Sequence, residues 1–222
     1  MKVVNDYRQH AHLCGKEYSA MEKTDLRIRK TLRSIDTALL ENLSQYEFQK
    51  ITVEMICSSA MINKSTFYKY YADKYQLLDL FLDRTLEEFR QALQSTDFIL
   101  ATPDTIDDPV YVDNFRKSVD VIYAKRKVYQ TLWNARFGRN IFGEMVGIVR
   151  ENILRTLLLE PCQSKEAMTY RELYASLFAA NAMEMFHWWF DHENEITAED
   201  VRRLINRNMK EGLFTTFKTY CI

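Results

Sequence analysis

Apolar residues recur along most of the chain at a helical period, and the stretches that break it are short. Ile28, Leu32, Ile35 and Leu39 form one stripe, with Ala38 and Leu43 beside it, and predict an amphipathic helix over 24–43. Val53, Ile56, Cys57 and Ala60 stand at i, i+3, i+4 and i+7 and predict a short helix over 53–60. Thr52 is its N-cap, and Ile51 and Ile56 have the spacing of a hydrophobic staple. Met61-Ile62 is the turn that follows. Asn63 then caps a second short helix over 64–71, where Ile62 and Phe67 are again staple-spaced. Asp73 and Gln76 have capping-box spacing ahead of Leu77, Leu78, Phe81 and Leu82, which predicts a long helix over 74–96. Three helix starts so close together force sharp changes of direction, as a helix-turn-helix does.

The segment 97–109, with Pro103, Pro109 and four Asp residues, is the clearest break in the chain. Beyond it the pattern predicts helices over 110–126, 127–137, 140–159, 164–192 and 197–219, with Pro161 ending one and Ser164 and Thr197 capping the last two. Thr197-x-x-Asp200 has the form of a capping box with Asp in place of Glu. Residues 1–23 show weak periodicity and predict an N-terminal arm without structure of its own.

Composition sharpens this to an all-α chain. Apolar residues make up 47% and aromatics 13%, ample for a core, while 5 Gly and 3 Pro leave few places for tight turns between strands. The formal net charge is -1, but residues 1–74 carry 12 Lys/Arg against 9 Asp/Glu, and 75–222 carry 18 against 22. A mildly basic head on an acidic body suits local rather than global attraction to a polyanion. The four Cys, at 14, 57, 162 and 221, make no CxxC pair, which points to free thiols in a reducing cytosol. No apolar run approaches the roughly 20 residues of a membrane span, and the N-terminus is too polar for a secretory signal. A cytoplasmic protein with no membrane partner is expected.

With Phe67 and Tyr71 turned inward, the second short helix presents Lys64, Ser65, Tyr68, Lys69 and part of Tyr70 outward. No acid lies between Glu54 and Asp73. Cations and hydroxyls on a short rod suit a groove whose walls are phosphate and whose floor is base edges. Composition alone fits an ordinary solvated helix face equally well.

The run Thr-Val-x-x-Ile-x-x-x-Ala-x-Ile-Asn-Lys-Ser-Thr-Phe-Tyr-x-Tyr-Tyr-x-Asp-Lys-x-x-Leu, starting at Thr52, resembles the DNA-binding signature of the TetR family of bacterial regulators, and the likeness extends from about Thr24 to Leu82. The resemblance implies a three-helix helix-turn-helix domain over 24–73. A linker helix from 74 would join it to a ligand-binding and dimerisation body running to 222. It implies a homodimer on a palindromic double-stranded DNA operator, released by a small-molecule effector, as most members of the family are repressors. Carried onto this sequence, Thr52, Tyr68 and Lys74 hold phosphate, and Lys69 meets the backbone. Lys64, Ser65, Thr66 and Tyr70 face base edges, with Asn63 at the head of the same helix. Arg27 or Arg29 meets phosphate or belongs to a solvated face. The last two helices, with Leu173, Leu177, Met185, Val201, Leu204, Ile205, Leu213 and Phe217, would pair with their symmetry mates. One residue departs from the pattern: the usual small turn residue is Met61 here, strained if that position needs positive φ. A TetR-like protein whose body binds a protein partner or no ligand, or one that activates, fits the same residues.

In the body, aromatics and Met crowd the C-terminal half, which suits an apolar pocket as well as plain core. Phe115, Trp133 and Phe137 are the expected pocket residues, because the helices in that part of the chain line the cavity in proteins of this kind. Asn134 and Arg136 are the nearest polar candidates, and an inward Arg136 would favour an anionic or carbonyl-bearing ligand. Glu184-x-x-His187 has the spacing of half a di-iron site, but the other half is missing. His10, His12 and Cys14 fall short of a fixed ligand set. No phosphate loop, nucleophile elbow, HExxH or Cys-His pair appears, so neither an enzyme, a cofactor nor a metal is expected.

Overall fold

A computed structural model describes residues 15–95, 109–157 and 165–212. Among these every regular element is helical: α1 (Gly15–Leu43), α2 (Val53–Ser59), α3 (Lys64–Tyr70), α4 (Lys74–Ser95), α5 (Pro109–Ala124), α6 (Arg126–Asn134), α7 (Ile141–Leu157), α8 (Lys165–Asp191) and α9 (Ala198–Glu211). A single 3₁₀ turn, Phe48–Lys50, precedes α2. The chain divides into two compact units, with the boundary between Leu77 and Leu78, four residues into α4. The 97–108 segment, Pro161, the Ser164 cap, the His10–Cys14 cluster and the Leu213 and Phe217 positions lie outside the described residues.

The first unit is built as the stripes predict. Ile35, Ala38 and Leu39 of α1, Ile56 and Cys57 of α2, and Phe67 of α3 are buried together with Phe48, Ile51 and Tyr71. Burying side chains of this size stabilises by roughly 1.5–3 kcal/mol each, which outweighs the weak propensity of two seven-residue helices. α1 packs on α2, and α2 on α3. The buried Asn42 amide ties the first pair, donating to Ala38 O at 2.7 Å and to Ser59 Oγ at 3.2 Å. α1 begins at Gly15, nine residues before the expected start, so residues 15–23 extend the helix rather than belonging to an arm.

Caps set the helix starts, with two differences from expectation. Thr52 Oγ1 accepts from Met55 N at 3.2 Å, and Thr197 with Asp200 closes a complete capping box. Asn63 holds the N-cap position of α3, but its side chain makes no capping hydrogen bond. Asp73 accepts from Gln76 N at 2.8 Å, whereas the Gln76 side chain accepts from Ala72 N, one residue before the cap.

Met61 does take the left-handed conformation, with φ of 54°. It is the C′ residue of a Schellman turn: Ile62 N donates to Cys57 O at 3.0 Å and Met61 N to Ser58 O at 3.1 Å. The Met61 side chain is 92% exposed, so no packing offsets the strain.

In the second unit α7 lies along α8, α9 packs on α5 and α8, and α6 touches both α7 and α8. Trp189, Tyr129, Phe89, Met145 and Met183 are fully buried. α6 stops at Asn134 rather than 137, because Ala135 is extended and Gly138 turns the chain at φ of 84°. No helix among the described residues is long and apolar enough to cross a membrane.

Candidate nucleic-acid interface and body cavity

The outer face of α3 follows from what its inner face must bury. Phe67 is fully enclosed and Tyr71 nearly so, stacked at a tilt with ring centroids 5.6 Å apart. Helical geometry then turns Lys64, Ser65, Tyr68 and Lys69 outward, and all four are exposed, as are Asn63 and Thr52. Thr66 and Tyr70 are half-buried at the edges of that face. Seven of the nine residues singled out from the sequence thus lie on or beside one helix, and Thr52 sits at the head of the helix packed against it.

Two of the cations are engaged within the chain. Lys64 Nζ lies 3.1 Å from Glu54 Oε2, the acid in the first turn of α2, with both side chains more than half exposed. Lys74 is committed further. Its ammonium donates to the carbonyl oxygens of Phe48 at 2.9 Å, Gln49 at 3.0 Å and Ile51 at 2.7 Å. It also lies over the rings of Phe48, 4.8 Å away, and Tyr75, 5.3 Å away. A lysine has three N–H donors, and here all three are used. The phosphate contact expected of Lys74 would require giving up one of them, so the structure makes this lysine a brace of the 48–51 turn. Lys69 is the exposed cation of α3 without such a contact.

Cys57, on the inner face of α2, is a free buried thiol whose pKa is raised by burial.

The body holds an apolar cavity of about 60 Å³ lined by Leu93 of α4 and by side chains of α5, α7, α8 and α9. Phe115, Ile122, Phe178, Met183 and Phe186 form most of its wall, and Ser118, Asn152 and Asn181 supply its polar groups. None of its lining residues is charged. Ser118 donates to Asn114 O at 3.0 Å, and Asn152 Oδ1 accepts from Arg155 at 2.5 Å.

Of the five residues expected at a ligand site, only Phe115 lines this cavity. Trp133 belongs to the aromatic core, stacked on Phe190 at 5.5 Å and on Tyr129 at 6.0 Å, its indole N–H donating to Met145 Sδ. Asn134 and Arg136 are exposed at the end of α6 and in the loop after it, and Phe137 is half-buried in that loop. An inward arginine is therefore absent from the lining. The residues that sequence reasoning missed carried a readable signal. Ser118 and Asn152 are polar positions on otherwise apolar stripes, beside Phe115, Val119 and Ile122 on α5 and Met145, Ile148 and Ile153 on α7.

His187 Nδ1 lies 3.9 Å from Glu184, with its ring against Trp133 and Phe142. Among the described residues no three of His, Cys, Asp and Glu cluster where they would hold a metal ion.

No family model matches the chain, and no curated protein matches it. In fold it is similar to a Clostridium perfringens protein assigned as a fatty acid metabolism regulator. The TM-score is 0.60 and the identity 16%, covering 81% of this chain and 98% of that one. It is also similar to the dihydroxyacetone kinase operon activator DhaS, at TM-score 0.50 and 13% identity, over 84% of this chain and 96% of that one. At such identities the likeness establishes the fold, an all-helical one that these regulators share.

Proposed function

We propose that this chain, with its helical regulator fold, is a DNA-binding transcription regulator of the TetR kind that acts as a homodimer on a palindromic operator. The observation that carries the reading is the face of α3. A seven-residue helix anchored by Phe67 shows the solvent two lysines, hydroxyls and a phenol, and the helix before it is capped by Thr52 and closed by the hydrogen-bonded turn at Met61 and Ile62. Such a helix enters the major groove as a recognition element. Ser65, Tyr68 and Lys69, with Thr52 at the head of α2, meet backbone and base edges, and Lys64 reads bases. Asn63, Thr66 and Tyr70 flank them, and Lys74 holds the scaffold instead of phosphate. Two regulators among the structural neighbours support the reading.

The dimer is supported by α8, which leaves Leu173, Tyr174, Leu177 and Trp188 about half exposed along one face while Ala175, Ala179, Met183 and Phe186 are buried on the other. An apolar helix face of this length fits a self-complementary interface about a two-fold axis. α9 contributes less than expected, because Val201 and Ile205 are buried within their own subunit.

The effector is a small neutral molecule in the body cavity. An unpaired charge there would lose its hydration and find no counter-charge. At about 60 Å³ the cavity is below the usual range of ligand pockets, so binding must displace flexible side chains such as Met183. Filling it shifts the equilibrium between DNA-competent and incompetent arrangements, and the shift is limited by the difference in ligand affinity between them. Repression is the default sign. Activation stands beside it because one structural neighbour is an operon activator.

The test is retention of genomic fragments by the purified chain. Enrichment of fragments sharing an inverted repeat, abolished in the Tyr68→Ala, Lys69→Ala double variant, is the expected result. Retention proportional to bulk DNA, with no shared sequence, overturns the reading.

A further inference from the structure

We infer that Glu54 and Lys64 together read one guanine·cytosine pair, with Lys64 over the guanine and Glu54 over the cytosine. The inference rests on the DNA-binding reading above and assigns to it a base-reading residue, Glu54, outside α3.

The two side chains come from different helices and meet at 3.1 Å. Their exposures, 56% for Lys64 and 75% for Glu54, mean that neither is held there by burial. Exposed pairs of this kind add little to stability, so the fold has slight need of the contact. The first turn of α2 favours an acid through the helix dipole, which accounts for a carboxylate but not for its meeting Lys64. What the contact creates is a donor and an acceptor side by side at the head of the helix that faces the groove.

A guanine·cytosine pair offers the complementary edge. Guanine O6 accepts and cytosine N4 donates, and the hydrogen bond joining them sets their separation at about 2.9 Å. An ammonium and a carboxylate 3.1 Å apart therefore match that edge atom for atom. A thymine·adenine pair also sets an acceptor, O4, beside a donor, N6, but its flanks differ. Beside O4 stands the thymine methyl, where guanine has N7, a second acceptor for the ammonium. Beside adenine N6 stands N7, an acceptor that repels a carboxylate, where cytosine has only a C–H. Both flanks favour guanine·cytosine in a single orientation.

A carboxylate near the groove also lowers affinity for any duplex, because it opposes phosphate. Glu54 thus exchanges overall affinity for discrimination at one position.

The test is selection of bound sequences from a random duplex library by the full-length chain and its Glu54→Ala, Glu54→Gln and Lys64→Ala variants. The wild-type motif should contain one oriented guanine·cytosine pair in each half-site. Glu54→Ala and Lys64→Ala should both relax that same position, roughly tenfold or more, and leave the others intact. Glu54→Gln retains an acceptor oxygen and should keep the preference while binding all duplexes more tightly. An unchanged motif in Glu54→Ala, with affinity raised uniformly, overturns the inference and leaves the DNA-binding reading standing. So does relaxation at different positions in the two alanine variants. Failure of the wild type to select any sequence overturns both.

Discussion

Lys74 Nζ lies 2.7 Å from the carbonyl oxygen of Ile51, the residue immediately before the N-cap of α2. The same ammonium holds the carbonyls of Phe48 and Gln49, so one side chain at the start of α4 gathers the whole turn that leads into α2. A turn of this length has carbonyls that its own backbone does not all satisfy. The lysine supplies three charge-assisted donors at once, and the ring faces of Phe48 and Tyr75 complete the ammonium's surroundings.

Replacing Lys74 by Met keeps the aliphatic stem and removes the ammonium. The unfolding free energy should fall by about 1–3 kcal/mol, as expected for carbonyls left without a charged donor. The dependence of DNA affinity on salt should keep its slope. Urea denaturation measures the first quantity and titrations across salt concentration the second. A slope flatter by about one would mean that Lys74 neutralises a phosphate after all.

Met61→Gly tests the strain in the turn between α2 and α3. Glycine adopts a φ of 54° without steric cost, while the 92% exposed methionine gains nothing from packing there. Relief of strain exceeds the added freedom of the unfolded chain, so the variant should be more stable by about 0.5–1 kcal/mol. An unchanged or lowered denaturation midpoint would show that Met61 is not strained.

How much of this was readable beforehand depended on the range of the interaction. α2 and α3 fell within one residue of their predicted ends, because the Thr52 cap and the buried Phe67 are signals confined to a few positions. The strained turn was visible at Met61 for the same reason. The role of Lys74 was not, since its carbonyl partners lie 23 to 26 residues upstream, and nothing in the local pattern says where a flexible stem ends. Trp133 illustrates the other limit: an aromatic on an apolar stripe reads alike whether it lines a cavity or stacks in the core. Here Phe190, 57 positions away in sequence, stacks on it. Ser118 and Asn152, by contrast, could have been recognised as polar interruptions of buried stripes.

Acid should weaken the body through Glu193. The Arg126 guanidinium, and then the Tyr123 hydroxyl, hold its carboxyl below the usual glutamate range. A carboxyl whose folded pKa is depressed contributes stability that is present above its unfolded value, near 4.3, and is lost as pH falls through the folded one. Between pH 6 and pH 3 the denaturation midpoint of Glu193→Gln should therefore fall less than that of the wild type. Equal falls would mean that the pair adds nothing.

The neutral lining of the cavity makes a prediction about ligand charge. A small apolar alcohol or amide should raise the thermal midpoint in proportion to the logarithm of its concentration once in excess, and the carboxylate of the same skeleton should not. Substituting Ala182, a lining residue, by Phe should abolish the shift by occupying the space. A larger shift from the carboxylate would show that a cation such as Arg155, which donates to Asn152 of the lining, turns into the site.

The exposed stripe of α8 predicts the quaternary state. In an isologous dimer each side chain is buried twice, so a single substitution removes two contacts. Leu177 is 54% exposed in the isolated chain and stands one turn from Leu173 and Tyr174. Replacing it with Glu should cost about 3 kcal/mol or more over the two copies, roughly a hundredfold or more in the dimer dissociation constant. Sedimentation equilibrium on Leu177→Glu and on the wild type measures this directly. The variant should remain helical by circular dichroism, because Ala175 and Ala179 on the opposite face keep their packing against α7. Loss of the dimer should also remove selective binding to an inverted repeat, since each half-site alone has only one recognition helix. A variant that dimerises as tightly as the wild type would place the interface elsewhere than on α8.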